Sequence, residues 1–237
     1  MSIVAIIIQA RSTSTRFPNK ILESVGTRPM LKCVIDNCKA SAEYINKINM
    51  NKRATALVAM VVPHNDPIIK RWTNCVPIFA GSEQDVLARY VQAQKELRAD
   101  YVCRVTSDCP MLPPYIISKH ITLAVMNEYD YVSNVDPRFR TSPDGWDCEV
   151  ISSRMLEWLG QNAQTPEEKE HVTLKARTDP PPWIRHGVTI GFYDLADIKI
   201  SVDTTDDLEK VRNEWAKVRT KVDTALEYFG EYNVHRF

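Results

Sequence analysis

The apolar run Ile3-Val4-Ala5-Ile6-Ile7-Ile8 gives way at once to a polar stretch, Gln9 to Leu22. A run this short, apolar at every position and bounded by a polar break, predicts a strand buried on both faces of a parallel sheet. Ala54 to Val62, stopped by Pro63, reads the same way, as do the shorter Val76 to Ala80 and Tyr101 to Thr106. Between these runs the apolar spacing becomes helical. Leu31, Val34, Ile35 and Cys38 share one face, with Pro29 suited to the first helical position; Ala42 to Arg53 is poorly periodic and reads as a loop or frayed end. Asp66 and Pro67 start a short helix, and Val86, Leu87, Tyr90, Val91 and Leu97 form the apolar side of a longer one opened by Gly81 and Ser82. Pro114 to Asn127 predicts a helix, Tyr129 to Asn134 a strand leaving toward a different region, and Ser153 to Gln161 a short helix. Thr165-Pro166-Glu167-Glu168 is cap-and-proline chemistry for another, carrying Glu170 to Thr173. Pro180 to Pro182 turns the chain into a strand over Ile184 to Tyr193. A final strand, Ile198 to Val202, feeds a long helix with Val211, Trp215, Val218, Val222, Leu226 and Phe229 along its packing side. Strands and helices in this order predict an α/β fold, a doubly wound, mostly parallel sheet of Rossmann-like type. It forms a single domain over 1–237 with one polar insertion near 131–195.

Composition narrows the class. The 237 residues can bury a substantial core, and 30 basic residues balance 30 acidic ones. No global field therefore drives the chain onto nucleic acid or an anionic membrane, and neither is expected as a partner. The N-terminal apolar run is too short and lacks the basic leader of a signal peptide, and no stretch approaches the ~20 apolar residues that span a bilayer. A cytoplasmic protein is expected. The six cysteines show no C-x-x-C pair and no histidine at zinc spacing, so neither a zinc site nor a disulfide is expected. Cys103 reads as a small core residue, while Cys109, after an aspartate in a strand-end loop, leaves a reactive thiol open.

Candidate chemistry gathers at strand ends. Arg11, Arg16 and Lys20 stand among Ser12, Thr13, Ser14 and Thr15, just beyond the first strand, where open α/β sheets bind ligands. Cations, hydroxyls and exposed backbone N–H groups together suit a phosphate-bearing ligand; a solvated basic loop is the plain alternative. Asp108 follows the Tyr101–Thr106 strand and is placed to hold a divalent cation, although Asp-x-Pro after a strand is also an ordinary turn. Asp203 repeats that geometry after Ile198 to Val202. Ser82 and Asp85 suffice as a helix start, or Gly81 and Ser82 bring backbone close to a base. Val135 to Glu149 is too polar for core and reads as a loop over the mouth of the site or an arm toward a second subunit. Within it, Arg138 and Arg140 suit a carboxylate or phosphate. The residues alone thus support a metal-dependent site for a phosphate-bearing ligand.

The string IIIQARSTSTRFPNKIL, followed by GTRPMLKCVIDNC, resembles the opening of cytidylyltransferases of the CMP-Kdo synthetase and spore-coat polysaccharide SpsF type, relatives of the CMP-sialic acid synthetases. Ala10, Arg11, Ser14, Thr15, Arg16, Pro18, Lys20 and Leu22 fall in register with that family's pattern; Thr13 and Asn19 stand where glycines are common, which makes the backbone less permissive. GSEQDVLARY, RVTSDCPMLPP, DYVSN with SPDGWDCEV, KEHVT and SVDTTDDL resemble further blocks, in the family's order. Lys169 replaces the usual arginine of the KEHVT string, which weakens any bidentate anion contact there.

This resemblance implies transfer of CMP from CTP to an acidic sugar or phosphorylated acceptor, with release of pyrophosphate, for surface polysaccharide or glycoconjugate biosynthesis. It implies Mg²⁺ as cofactor and a homodimer. Arg11, Arg16, Lys20 and Asp108 would carry catalysis, with Asp108 and Asp203 as metal ligands. Ala10, Ser12, Ser14 and Thr15 would join Arg11, Arg16 and Lys20 on the nucleotide, with Gly81, Ser82, Arg104, Thr106 and Ser107. Asn134, Arg138, Arg140, Asp144, Asp147, Glu149 and His171 would face the acceptor. Two alternatives stay open. A metal-dependent nucleotide-sugar glycosyltransferase shares such a sheet but usually carries a D-x-D motif, which neither Asp-Cys-Pro nor Asp-Thr-Thr supplies. A non-catalytic nucleotide-binding module follows if Thr13 and Asn19 disable the loop.

Overall fold

Alternate residues of the first strand, β1 (Ser2–Gln9), belong to different cores. Val4, Ile6 and Ile8 enter one hydrophobic cluster while Ala5 and Ile7 enter another, as the two-residue period of a strand requires. The computed structural model that shows this describes residues 1–48, 53–213 and, by backbone alone, 233–236.

β1 lies at the centre, flanked in parallel by β4 (Ala54–Pro63) and β6 (Tyr101–Thr106), with β5 (Ile78–Gly81) parallel beyond β4. On the other side the sheet continues through β8 (Glu149–Ser152), β7 (Tyr131–Ser133), β9 (His186–Ile190) and β10 (Asn233–Arg236). β8 runs antiparallel to both β6 and β7. A small hairpin, β2 (Ser24–Val25) with β3 (Arg28–Pro29), stands apart. Helices α1 (Met30–Ile48) and α4 (Pro114–Asn127) supply the first core; α3 (Val86–Leu97) and α5 (Ser153–Asn162) supply the second. The sheet is thus covered on both faces, the doubly wound, mostly parallel arrangement that the apolar runs predict. Short helices α2 (Ile68–Trp72), α6 (Pro166–Glu170) and α7 (Leu174–Thr178) complete the layers. Among the described residues no helix is long and apolar enough to cross a membrane.

Several elements differ from the sequence expectation, each for a physical reason. α1 runs to Ile48 rather than fraying after Cys38, because Ala42 and Ile45 continue the buried face; the Asn46 side chain then ties its end to both backbone groups of Ala56. Tyr131–Ser133 does not leave the sheet, and β8, too short to be seen as a strand, is inserted beside it. Residues 135–149 do border a cleft, but they are not too polar for core: Trp146 and Cys148 are buried, and Asn134 and Arg140 bond to the backbone around them. Ile198 to Val202 forms no strand. An isolated bridge pairs Lys199 with Asp144, and the amides of Ile200 and Ser201 donate to the Asp144 carbonyl at 2.7 and 3.0 Å. α6 stops at Glu170 because Val172 adopts φ 45°. Residues 205–213 are helical and bury Leu208 and Val211; Trp215, Val218, Val222, Leu226 and Phe229 lie outside the described residues.

The segment that delivers Asp203 rests on one glycine. Gly145 has φ +112°, and a Cβ there would stand 2.6 Å from Ser201 N and 2.8 Å from the Ile200 carbonyl carbon. Gly145→Ala should therefore destabilise by about 2–6 kcal/mol, combining conformational strain with overpacking. A denaturant midpoint equal to the wild type would show that residues 200–203 do not pack on Gly145.

Candidate active site

The loop after β1 is a closed excursion. Ala10 N donates to Val61 O at 3.0 Å, holding one more residue against β4 before the chain departs. Ser12 then donates its backbone N and Oγ to the buried Asp66 carboxylate at 2.8 and 2.7 Å, and Asn19 N closes the loop on Ser12 O at 2.9 Å. Asp66 also caps α2 through Ile68 N, so the role expected of it is only half of what it does. Asn19 takes φ 58°, the left-handed conformation a glycine would supply, and Thr13 Oγ1 donates to Glu83 at 2.7 Å.

The chain then enters a 3₁₀ turn over Lys20–Leu22, which sends Lys20 inward. Its Nζ donates to Asp108 Oδ2 at 3.0 Å, Val202 O at 2.7 Å and Asp203 Oδ1 at 3.3 Å. Val202 N donates to Asp108 O at 3.0 Å, so the two aspartate segments are also joined by backbone. Arg16 reaches Asp203 Oδ1 at 3.1 Å and Lys199 reaches its other oxygen at 3.3 Å. Burial alone would raise the Asp108 carboxyl; the Lys20 charge and hydrogen bonds from Thr106 and Lys20 outweigh it and hold the group below the usual aspartate range. Asp108 and Asp203 can hold a divalent cation, because their oxygens already converge on one positive charge. Among the described residues no three His, Cys, Asp or Glu side chains cluster around such an ion. Two carboxylates, completed by phosphate oxygens and water, is the manner in which Mg²⁺ is bound beside a nucleotide.

These groups line a cleft of about 360 Å³ at the carboxyl edge of the parallel strands. Its loop side is built from the segments after β1 and β6 and from residue 203, with Arg11, Ser14, Thr15, Arg16, Lys20, Thr106, Ser107, Asp108 and Asp203. Arg104 of β6, the stretch entering β8 (Arg140, Asp144, Asp147, Glu149) and His171 build the rest, and an Arg11–Glu170 pair at 3.8 Å joins the two. Ala10, Ser12, Gly81, Ser82, Asn134 and Arg138 are not among its lining residues. Ser12 is committed to Asp66, and Ser82 Oγ accepts from Asp85 N at 3.1 Å. A Cβ on Gly81 would stand 2.6 Å from Arg89 Cγ, so that glycine accommodates the buried arginine stem. Buried Asn134 braces the 142–148 turn through Ser142, Trp146 and Cys148. Arg138 folds back on Asp136 through two bonds of 3.0 and 2.7 Å. His171 caps α6 rather than riding on a helix. Cleft-lining Gln9, Glu170, Arg177 and Ser201 were not singled out by sequence; Gln9, Glu170 and Ser201 lay inside matched strings, and Arg177 carried no signal.

The far wall is organised by Glu149, at 1% exposure. It accepts from Arg104 Nη1 at 2.7 Å, Thr173 Oγ1 at 2.6 Å and the Tyr131 hydroxyl. Burial would raise this carboxyl, but Arg104 and Arg177 charges and the two hydroxyl bonds bring it below its ordinary value. Burial pushes Asp147 up, with Arg140, 2.6 Å away, offsetting part of the shift. Cys109 is buried and its thiol is driven well up by burial and by Asp108, which removes the reactive-thiolate alternative.

A cytidylyltransferase family model matches residues 5–143 of the chain. The chain is 25% identical to the spore coat polysaccharide biosynthesis protein SpsF of Bacillus subtilis, over 95% of this chain and 91% of that one. Among solved structures it is similar to a cytidylyltransferase from Leptospira borgpetersenii, with TM-score 0.76 and 26% identity over 88% of this chain and 84% of that one. CMP:2-keto-3-deoxy-manno-octonic acid synthetase complexed with CTP shares the fold, with TM-score 0.65 and 17% identity over 91% and 99% of the two chains.

Glu149→Gln leaves Arg104 buried without its counter-charge and should cost about 3 kcal/mol at pH 7. Because the folded carboxyl lies below its unfolded value of about 4.3, its contribution is full above that pH and fades as pH falls through the folded value. Urea midpoints of wild type and variant should therefore differ at pH 7 and approach each other in acid. Equal midpoints at pH 7 would remove Glu149 as the organising group.

Proposed function

The chain belongs to the cytidylyltransferase family, and from that membership we propose that it transfers CMP from CTP to an acidic sugar or phosphorylated small molecule, releasing pyrophosphate. The observation that carries this reading is the meeting of Asp108 and Asp203 on the Lys20 ammonium, at the foot of a loop that also presents Arg11 and Arg16. Arg11, Arg16 and Lys20 hold the β- and γ-phosphates, with Ser14 and Thr15 as additional donors. Thr106 and Ser107 flank the nucleotide and Arg104, bonded to both Gln9 and Glu149, stands where the two substrates meet, while Ala10, Ser12, Gly81 and Ser82 shape the backbone around the nucleotide. The acceptor oxygen bonds to the α-phosphorus as the bond from that atom to the α–β bridging oxygen breaks, and pyrophosphate leaves with the electron pair. Charge grows on the departing oxygen, where the fixed cations of the loop stabilise it without reorganising.

Mg²⁺ held by Asp108 and Asp203 supplies neutralisation of the phosphoryl oxygens when bound. Lys20 now occupies the point where those carboxylates converge, and the triphosphate offers its ammonium an alternative anion. The acceptor rests against Arg140, Asp144, Asp147, Glu149 and His171, with Asn134 and Arg138 bracing that wall from behind. A carboxylate or phosphate nucleophile needs no base; a hydroxyl has the Asp147 carboxyl, raised by burial, to take its proton. In this reading the enzyme is a cytoplasmic homodimer of surface polysaccharide or glycoconjugate synthesis; the Bacillus relative, by its name a spore coat polysaccharide biosynthesis protein, supports the polysaccharide setting alone.

The test is pyrophosphate release with each nucleoside triphosphate across a set of sugar acids and sugar phosphates. CTP should be used in preference to UTP, ATP and GTP, and Asp108→Asn should lower turnover by about 10²-fold or more. Indifference to the base, or a loss of only a few-fold in the variant, would count against the reading.

A further inference from the structure

One arginine of the cleft lining forms no ion pair among the described residues. Arg177 lies on α7 and lines the cleft, yet its Nε is buried without a hydrogen-bond partner. Arg104 shares an unpartnered Nε but is ion-paired with Glu149 at 2.7 Å, as Arg140 is with Asp147 at 2.6 Å and Arg138 with Asp136 at 2.7 Å; Arg177 has no such pair. The carboxylates whose fields reach Arg177 are Glu149 and Asp136, and neither forms an ion pair with it among the described residues. Glu149 already takes three donors, and Asp136 is gripped by both ends of the Arg138 fork.

Nor is Arg177 a loose surface arm. One turn earlier, Thr173 is buried and donates to Glu149, and Val172 and Ala176 pack into the core formed with α3 and α5. α7 is therefore fixed against the floor of the cleft, and the guanidinium is held where it lines the cavity. A buried donor left unpaired is costly, and at the edge of a cleft a bound anion is what can answer it. A planar guanidinium fork answers carboxylate or phosphate best, through paired N–H bonds.

We infer that Arg177 recognises an anionic substituent of the acceptor, a carboxylate or a phosphate, and so sets which molecules the enzyme can use. This rests on the cleft being a nucleotidyl-transfer site and states what its second substrate must carry. The group belongs to the acceptor rather than the nucleotide because Arg177 lies near Glu149 and Tyr131, whose strands β8 and β7 stand on the far side of β6 from β1 and its loop.

The test follows arginine Nε–H signals by NMR in ¹⁵N-labelled protein saturated with CTP and Mg²⁺, so that the loop cations are occupied. Inorganic phosphate and acetate are the two probes, with sodium chloride at matched ionic strength as control. The Arg177 signal, assigned by its loss in Arg177→Lys, should move saturably with at least one probe and not with chloride. A response to acetate alone assigns a carboxylate acceptor, and a response to phosphate alone a phosphorylated one. Indifference to both, or an equal response to chloride, overturns the inference. With any acceptor found by pyrophosphate release, Arg177→Gln should raise the acceptor KM about tenfold or more while the CTP KM stays nearly fixed. Equal changes in both constants also overturn it. Should CTP fail to bind the wild-type protein, the transfer reading falls by itself; the anion titration on unliganded protein still decides Arg177.

Discussion

A single ammonium group holds the cleft in shape. Lys20 comes from the turn after β1, Asp108 from the loop after β6, and Val202 and Asp203 from the segment before the last helix, and Lys20 Nζ binds all three. Its side chain is 10% exposed. Two carboxylates this close would repel without a cation between them, and a buried pair stripped of one partner loses about 3–5 kcal/mol. The rest of the architecture serves to place that ammonium. Parallel pairing of β1 with β6 puts both loops on one edge, and the Val202 N to Asp108 O bond brings the third segment to meet them.

The two sides of the cleft are built by different physics. Along the loop side, Arg11 and Arg16 keep 46% and 68% of their side-chain area exposed, and their carboxylate contacts are those of surface ion pairs, worth about 0–1 kcal/mol. Such cations are easily taken by a stronger anion, and a triphosphate is one. Along the far wall, Glu149, Arg104, Tyr131 and Thr173 form a buried network in which each group satisfies another. A network of that kind does not rearrange cheaply, so it fixes the shape into which a second substrate must fit. Exchange of charge on one side and rigidity on the other suit a reaction whose first substrate is highly charged and whose second must be selected.

What sequence disclosed follows the same division. β1, β4 and β6 were legible because strands buried on both faces must be apolar at every position. The cations of the loop and the aspartates were legible because they sit at strand or segment ends, where local order suffices to place them. Glu149 appeared only as a polar residue of a charged stretch, since β8 has just Val150 and Ile151 as its apolar signal and pairs with residues distant in the chain. Arg177 left no trace at all: an arginine two residues after a lysine on a five-residue helix looks like solvated surface. Its place in the cleft comes from Thr173 docking on Glu149, a tertiary contact that no periodicity encodes. Asp203 reaches the cleft by another route than the expected strand end. It follows no strand; backbone bonds to Asp144 and the freedom of Gly145 bring it to the cleft.

The two missing glycines of the loop bear on whether it works at all. A glycine is needed where φ is positive, and the only such residue between Gln9 and Leu22 is Asn19, at φ 58°. Asparagine is, after glycine, among the residues that enter the left-handed region most readily, so the turn is preserved at a small conformational cost. Thr13 has no such requirement; its hydroxyl instead ties the loop to Glu83 across the cleft edge. Asn19 N still closes on Ser12 O, and Lys20, the next residue, still points inward. The departure from glycine therefore changes the stiffness of the loop and not its path. A β-branched residue at position 19 would be a different matter, because it would resist the turn that aims the ammonium at the two aspartates.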